Sequence, residues 1–223
     1  MGHNPTVAFA TLGCKLNQFE TDSLATRFKE AGYEIVDFGQ DADVQIINTC
    51  TVTNRADRKS RNLWYQATRR ITRDGGQGSQ QSETRTGQQE ASGYGDSDSN
   101  SLVILTGCFV DASQEALGPE GLTVAVPNAQ KHAIPEIVEA LNHGETAHPK
   151  NSVFDFAVPS RILRTRTMIK VQDGCNNRCS FCIIPSVRGR AVSRPSDDVL
   201  KDARHMLQTG AKVGVNYLKY YGD

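Results

Sequence analysis

Apolar runs long enough to cross a membrane are missing from this 223-residue chain. None approaches the roughly 18–20 residues that a spanning helix needs, so the sequence implies no membrane partner. An excess of one charge is missing as well. Lys and Arg number 25 against 25 Asp and Glu, and any attraction for nucleic acid has to be local. The opening stretch MGHNPTVAFATLGC has neither the basic start nor the long apolar centre of a secretory signal. Gly2 with Thr6 meets a short acylation pattern that arises readily by chance. Six cysteines without such a signal point to a reducing, cytoplasmic setting. There, thiols bind metals or do chemistry more often than they form disulfides. The length allows one sizeable core or two small ones.

Strand and helix patterns alternate along the chain, which implies an α/β fold with a parallel, helix-covered sheet. Val7–Leu12, Glu34–Phe38, Val44–Ile47, Leu102–Leu105 and Leu122–Val126 read as strands. A first helix carries Leu24, Phe28 and Ala31 on one face and stops at Gly32; a second runs from Thr53 to about Ile71. Residues 74–100, rich in Gly, Ser, Gln and Thr, read as a disordered insertion within an N-terminal domain spanning 1–150. An amphipathic helix is predicted over Asn128–Asn142, using Ile134, Ile137, Val138 and Leu141. A second unit, 161–223, opens with a strand over Thr165–Val171. Its helix starts at Ser196 as a cap, buries Val199, Leu200, Ala203, Met206 and Leu207, and ends at Gly210.

The densest chemical signal is Cys175-Asn-Asn-Arg-Cys179-Ser-Phe-Cys182. Three thiolates at this spacing can hold three corners of an iron–sulfur cube and leave the fourth iron open to a substrate. Gly174, Asn176, Asn177 and Pro185 suit a loop wrapped around such a group. The same cysteines fit a zinc knuckle short of one ligand, or a structural cluster.

Cys14, Cys50 and Cys108 each close an apolar strand, in TLGC, INTC and LTGC. In an open parallel sheet the carboxyl ends of the strands share one edge, where ligands bind. Three strands would therefore bring three thiols together there. Three ordinary buried cysteines are the alternative.

Together, TLGCKLNQFETD, INTCTVTNRADRKSR, LTGC and CNNRCSFCIIPSVRGR resemble the radical S-adenosylmethionine (SAM) methylthiotransferases. The first block, with Lys15, Asn17 and Glu20, and the block TNRADRKSR are most similar to the branch acting on threonylcarbamoyladenosine in tRNA. The resemblance implies two [4Fe-4S] clusters, one on Cys175, Cys179 and Cys182, and an auxiliary one on Cys14, Cys50 and Cys108. It also implies SAM as cofactor, with Phe181 against its adenine, and an electron-donor protein and tRNA as partners. The reaction would be methylthiolation of C2 of the modified adenosine next to the anticodon. Isopentenyladenosine or a ribosomal protein is the alternative acceptor. The fold implied is an N-terminal parallel α/β domain followed by the start of a partial (β/α) barrel. Family members continue well beyond the equivalent of Asp223, so the resemblance implies a C-terminally truncated chain. A non-catalytic iron–sulfur or RNA-binding fragment is the rival reading. No side chain stands out as a catalytic acid, base or nucleophile.

Between Asn54 and Arg73 seven cations face the single acid Asp57. Arg55, Arg58, Lys59 and Arg61, with Arg188 and Arg190 after the cysteine loop, are the residues placed against tRNA phosphate. A solvated helix face is the alternative. Trp64 and Tyr65 read as core anchors. His132, His143, His148 and His205 read as surface or helix residues with no ligand spacing to a cysteine.

Overall fold

A computed structural model describes residues 4–74, 101–113, 123–159, 166–208 and 212–216. The proposed insertion, apart from Asp74, lies outside the described residues, as does Gly210.

Strands β1 (Thr6–Thr11), β2 (Glu34–Val36), β3 (Val44–Thr49), β4 (Leu102–Gly107) and β5 (Thr123–Val126) form one sheet in the order β2-β1-β3-β4-β5. Every pairing is parallel. The central strand β3 is buried along its whole length, because helices cover both faces of a parallel sheet. Alternate residues divide between two cores, as the period of two requires. Val7, Val44, Ile46 and Ile104 pack with Leu24 and Phe28 of helix α1 (Lys15–Glu30) and Ile134 and Val138 of helix α4 (Ile134–Asn142). Ile47, Val103 and Leu105 pack on the other face with Trp64 and Ala67 of helix α2 (Asn54–Asp74) and Phe109 of the short helix α3 (Cys108–Ala112).

The helix expected over Asn128–Asn142 is broken in two, a 3-10 helix over Asn128–Ala133 followed by α4. Pro135 has no N–H to offer the Lys131 carbonyl, which instead accepts from Ile134 in the tighter turn. Leu141 is exposed and lies outside the core. Tyr65 is exposed too; its ring stacks on buried Trp64, which alone of the pair anchors the core. His132 is buried, its ring in a T-shaped contact with Phe156.

The remaining described elements begin with β6 (Arg166–Lys170), which pairs in parallel with β9 (Lys212–Asn216). Between them lie β7 (Gln172–Asp173), α5 (Ile184–Arg188), β8 (Val192–Ser193) and α6 (Ser196–Gln208). The pair β7–β8 is antiparallel and closes the base of the cysteine loop. Met206 of α6 packs on Ile169, with Val199 and Ala203 beside them. Leu200 and Leu207 are exposed, so the buried face of α6 is narrower than its pattern suggests. Ser196 is already helical: the Pro195 carbonyl accepts the Val199 N–H, so Pro195 occupies the place expected of a cap.

Candidate functional site: two cysteine triplets on a buried ion cluster

Cys14, Cys50 and Cys108 follow β1, β3 and β4, three adjacent strands, at the carboxyl edge of the sheet. Glycine precedes two of them for a steric reason. At Gly13 (φ +92°) a Cβ would lie 2.6 Å from Cys50 Sγ; at Gly107 (φ +101°) it would lie 2.3 Å from the Thr49 carbonyl oxygen. Neither the conformation nor the space admits a side chain. The bare backbone at Gly13 thus lets Cys14 and Cys50 approach. Burial pushes the Cys50 thiol pKa up, and the neighbouring Cys108 and Cys14 push it the same way, while Arg188 opposes them.

Cys175, Cys179 and Cys182 are all half-buried on the loop between β7 and α5. The Cys182 N–H donates to the Cys179 carbonyl, and the Cys175 N–H to that of Gly189. Phe181 is 88% exposed. The triplets adjoin: Leu16 of α1 packs on Ile184 of α5, and Cys14, Cys175 and Cys182 pack around that pair.

Beneath this seam lies an ion cluster that sequence reasoning missed. Glu20 accepts from Lys131 Nζ at 2.7 Å, Lys170 Nζ at 2.8 Å, and Arg188 Nη1 and Nη2 at 2.9 and 3.1 Å. Asp173 accepts from Arg188 Nη1 at 3.2 Å and from Lys170 at 2.6 Å. All five side chains are at most 4% exposed. Burial alone would raise the Glu20 pKa; Arg188, Lys131 and Lys170 together hold it well below the usual carboxylate range. Burial lowers the Lys131 pKa, and Arg188 repels its charge, so it falls despite the shared carboxylate. The two directions agree: three cations serve Glu20, whereas Lys131 has only a share of that carboxylate. Spacing along α1 carried the signal, because Asn17, Glu20, Leu24 and Phe28 recur at i, i+3, i+7 and i+11 on one helix face.

Asn17 links this cluster to the strand ends. Its Nδ2 donates to the carbonyls of Leu12 and Thr49, and its Oδ1 accepts from Arg188 Nη2. Arg188 is therefore not on a phosphate-facing surface. Its guanidinium is 1% exposed because two carboxylates and an amide enclose it. Arg190 is exposed. Arg194 pairs with Asp202 at 2.7 Å, so Arg188, Arg190 and Arg194 do not form one basic patch. On α2, Arg55, Arg58, Lys59 and Arg61 are exposed. Arg61 also pairs with Asp57 and lies over the Phe109 ring.

Among the described residues no three Cys, His, Asp or Glu side chains converge as ligands on a single metal ion. A cubane has different needs, since it holds each thiolate at a separate corner. Three thiols gathered at one sheet edge, with the Arg188 and Lys131 cations close enough to feel Cys108, suit an anionic sulfur cluster. Among the described residues, no helix is long and apolar enough to cross a membrane.

Residues 6–75 match the sequence family described as Uncharacterized protein family UPF0004. The chain is 36% identical over 217 residues to the threonylcarbamoyladenosine tRNA methylthiotransferase MtaB of Bacillus subtilis (strain 168), covering 93% of this chain and 42% of the relative. The MtaB of Aquifex aeolicus (strain VF5) is 33% identical over 227 residues, covering 97% and 49%. The ribosomal protein uS12 methylthiotransferase RimO of Hydrogenovibrio crunogenus is 30% identical over 214 residues, covering 93% and 40%. The methylthiotransferase resemblance read from the cysteine blocks is matched by these relatives. The chain spans less than half the length of each.

Proposed function

We propose that this chain carries the cysteine sites of a radical SAM methylthiotransferase that modifies tRNA. The acceptor would be C2 of N6-threonylcarbamoyladenosine beside the anticodon. One observation carries the reading: Cys14 of the sheet-edge set and Cys175 and Cys182 of the loop set, from segments far apart in sequence, pack around Leu16 and Ile184. The identity of 33–36% to the two tRNA-modifying relatives, against 30–32% to ribosomal-protein methylthiotransferases, leans toward the tRNA acceptor.

Cys14, Cys50 and Cys108 would hold an auxiliary [4Fe-4S] cluster, and Cys175, Cys179 and Cys182 a second one beside SAM. When bound, the second cluster and SAM supply an electron and a 5′-deoxyadenosyl radical. The chain's own residues bind and orient. Gly13 lets Cys50 pack close to Cys14, and Gly107 lets its strand end lie against Thr49; Arg188 and Lys131 would oppose the charge of the auxiliary thiolates, and the exposed Phe181 ring would offer a flat apolar face for a nucleoside. Arg55, Arg58 and Lys59 on α2 would meet tRNA phosphates.

The test is 5′-deoxyadenosine formation by the anaerobically reconstituted, chemically reduced chain, with a Cys179→Ala control. Product lost in the control supports the reading. Iron-loaded protein that makes none would favour the non-catalytic fragment.

A further inference from the structure

Two cysteine sets that work on one substrate must keep a fixed separation, and the apolar contact between Leu16 and Ile184 is small. The structure offers something firmer. Asn17 stands three residues after Cys14, and its Nδ2 holds the Thr49 carbonyl, one residue before Cys50. Thr49 is in turn paired with Gly107, one residue before Cys108. On the other side, Asp173 Oδ1 accepts the Gly174 N–H at 2.7 Å, one residue before Cys175. Arg188 is the last residue of α5, six past Cys182. One guanidinium joins the two halves, giving Nη2 to Asn17 and Nη1 to Asp173, with both nitrogens on Glu20.

We infer that Arg188, clasped by Glu20, Asp173 and Asn17, is a positioning residue that sets the distance between the two cysteine triplets. A guanidinium holds its donors in a rigid planar fork and so fixes the directions of its three acceptors, whereas a lysine ammonium aims its three donors from a flexible, rotatable stem. Direct hydrogen bonds then run from the segment carrying Cys14 to the residue before Cys175 without a solvent-exposed link. Lys170 braces the same geometry, holding Glu20 and Asp173 together at 2.8 and 2.6 Å. This deepens the proposed function, where the separation of the triplets gains its purpose.

The experiment uses the full chain, metal-free and anaerobic, treated with a short bis-thiol crosslinker and mapped by mass spectrometry. Crosslinks from Cys14 to Cys175 or Cys182 report the seam. Crosslinks from Cys14 to Cys50 or Cys108 report the sheet edge and serve as the internal reference. Arg188→Lys keeps the charge and removes the fork. It should lower the seam-to-edge ratio on the order of tenfold, the population change expected from losing a charged hydrogen bond. Asp173→Asn, a near-isosteric second variant, should lower it in the same direction, because an amide nitrogen at the Oδ2 position cannot accept from Lys170 and Arg188.

A ratio unchanged in both variants overturns the inference. So does a parallel fall of both crosslink classes, which is what general loss of folding would give. Iron content of the reconstituted wild type is read separately. Absent iron would sink the proposed function while leaving the crosslink result to stand or fall by itself.

Discussion

Arg188 Nη1 donates to Glu20 Oε1 at 2.9 Å across 168 residues of chain, with both side chains buried. Around that bond three cations, Lys131, Lys170 and Arg188, face two carboxylates, Glu20 and Asp173. A buried cluster of this kind is a poor source of net stability, because desolvation offsets much of the attraction. Removing one member is costly, because the rest are left uncompensated.

Glu20→Gln should therefore destabilise the chain by about 3–5 kcal/mol near neutral pH, measured as a lower urea midpoint at unchanged slope. The amide keeps the shape and some hydrogen bonds but leaves three cations against Asp173 alone.

The same carboxylate gives a pH signature. Its folded pKa lies well below the reference value of 4.5, so more protons bind the unfolded chain in that window. Its contribution is complete above about pH 5 and is lost as pH falls through 4.5 toward the folded value. Asp111 acts in the opposite sense, because burial raises its pKa from 3.8. Subtracting the Glu20→Gln profile from the wild-type profile isolates the Glu20 limb. A difference that stays flat from pH 6 to pH 3 would contradict it.

Gly13→Ala should misplace Cys50. The new methyl would sit 2.5 Å from Cys50 Cβ at a φ of +92°, and strain of this kind costs about 1–3 kcal/mol before the clash is counted. Reconstituted iron should fall toward the amount held by the Cys175 set alone, measured by iron and sulfide analysis.

The two triplets should load independently. Replacing Cys14, Cys50 and Cys108 together by alanine should leave about four irons of about eight, and replacing Cys175, Cys179 and Cys182 should leave the other four. Stoichiometric zinc without sulfide in anaerobically purified protein would exclude both clusters.

On α2, the triple variant Arg55→Ala, Arg58→Ala, Lys59→Ala should weaken binding of an unmodified anticodon stem-loop. The slope of log affinity against log salt should lessen by roughly 2–3, at about 0.7–0.9 per phosphate contact. Fluorescence anisotropy across a potassium chloride series reads both effects. An unchanged slope would leave these residues as a solvated face.

By itself the sequence determined the five strands of the first sheet and the helices α1 and α2, though not the short α3, and it put three cysteines at strand ends. Both are local properties: alternation fixes which strand residues reach the cores, and Gly-Cys steps mark the turns after β1 and β4. Glu20 was half legible, since its spacing from Leu24 and Phe28 puts it on the inward face of α1, but nothing local names its partners. Tertiary structure alone decided that Arg188, which reads as one of several loop cations, is buried between Glu20 and Asp173. It also left Leu200 and Leu207 exposed, whereas the break of the Asn128 helix at Pro135 has a local cause that the sequence held. The meeting of the two triplets belongs with these. Periodicity reports which side of an element faces inward, whereas a contact between residues 20 and 188 depends on how whole elements pack.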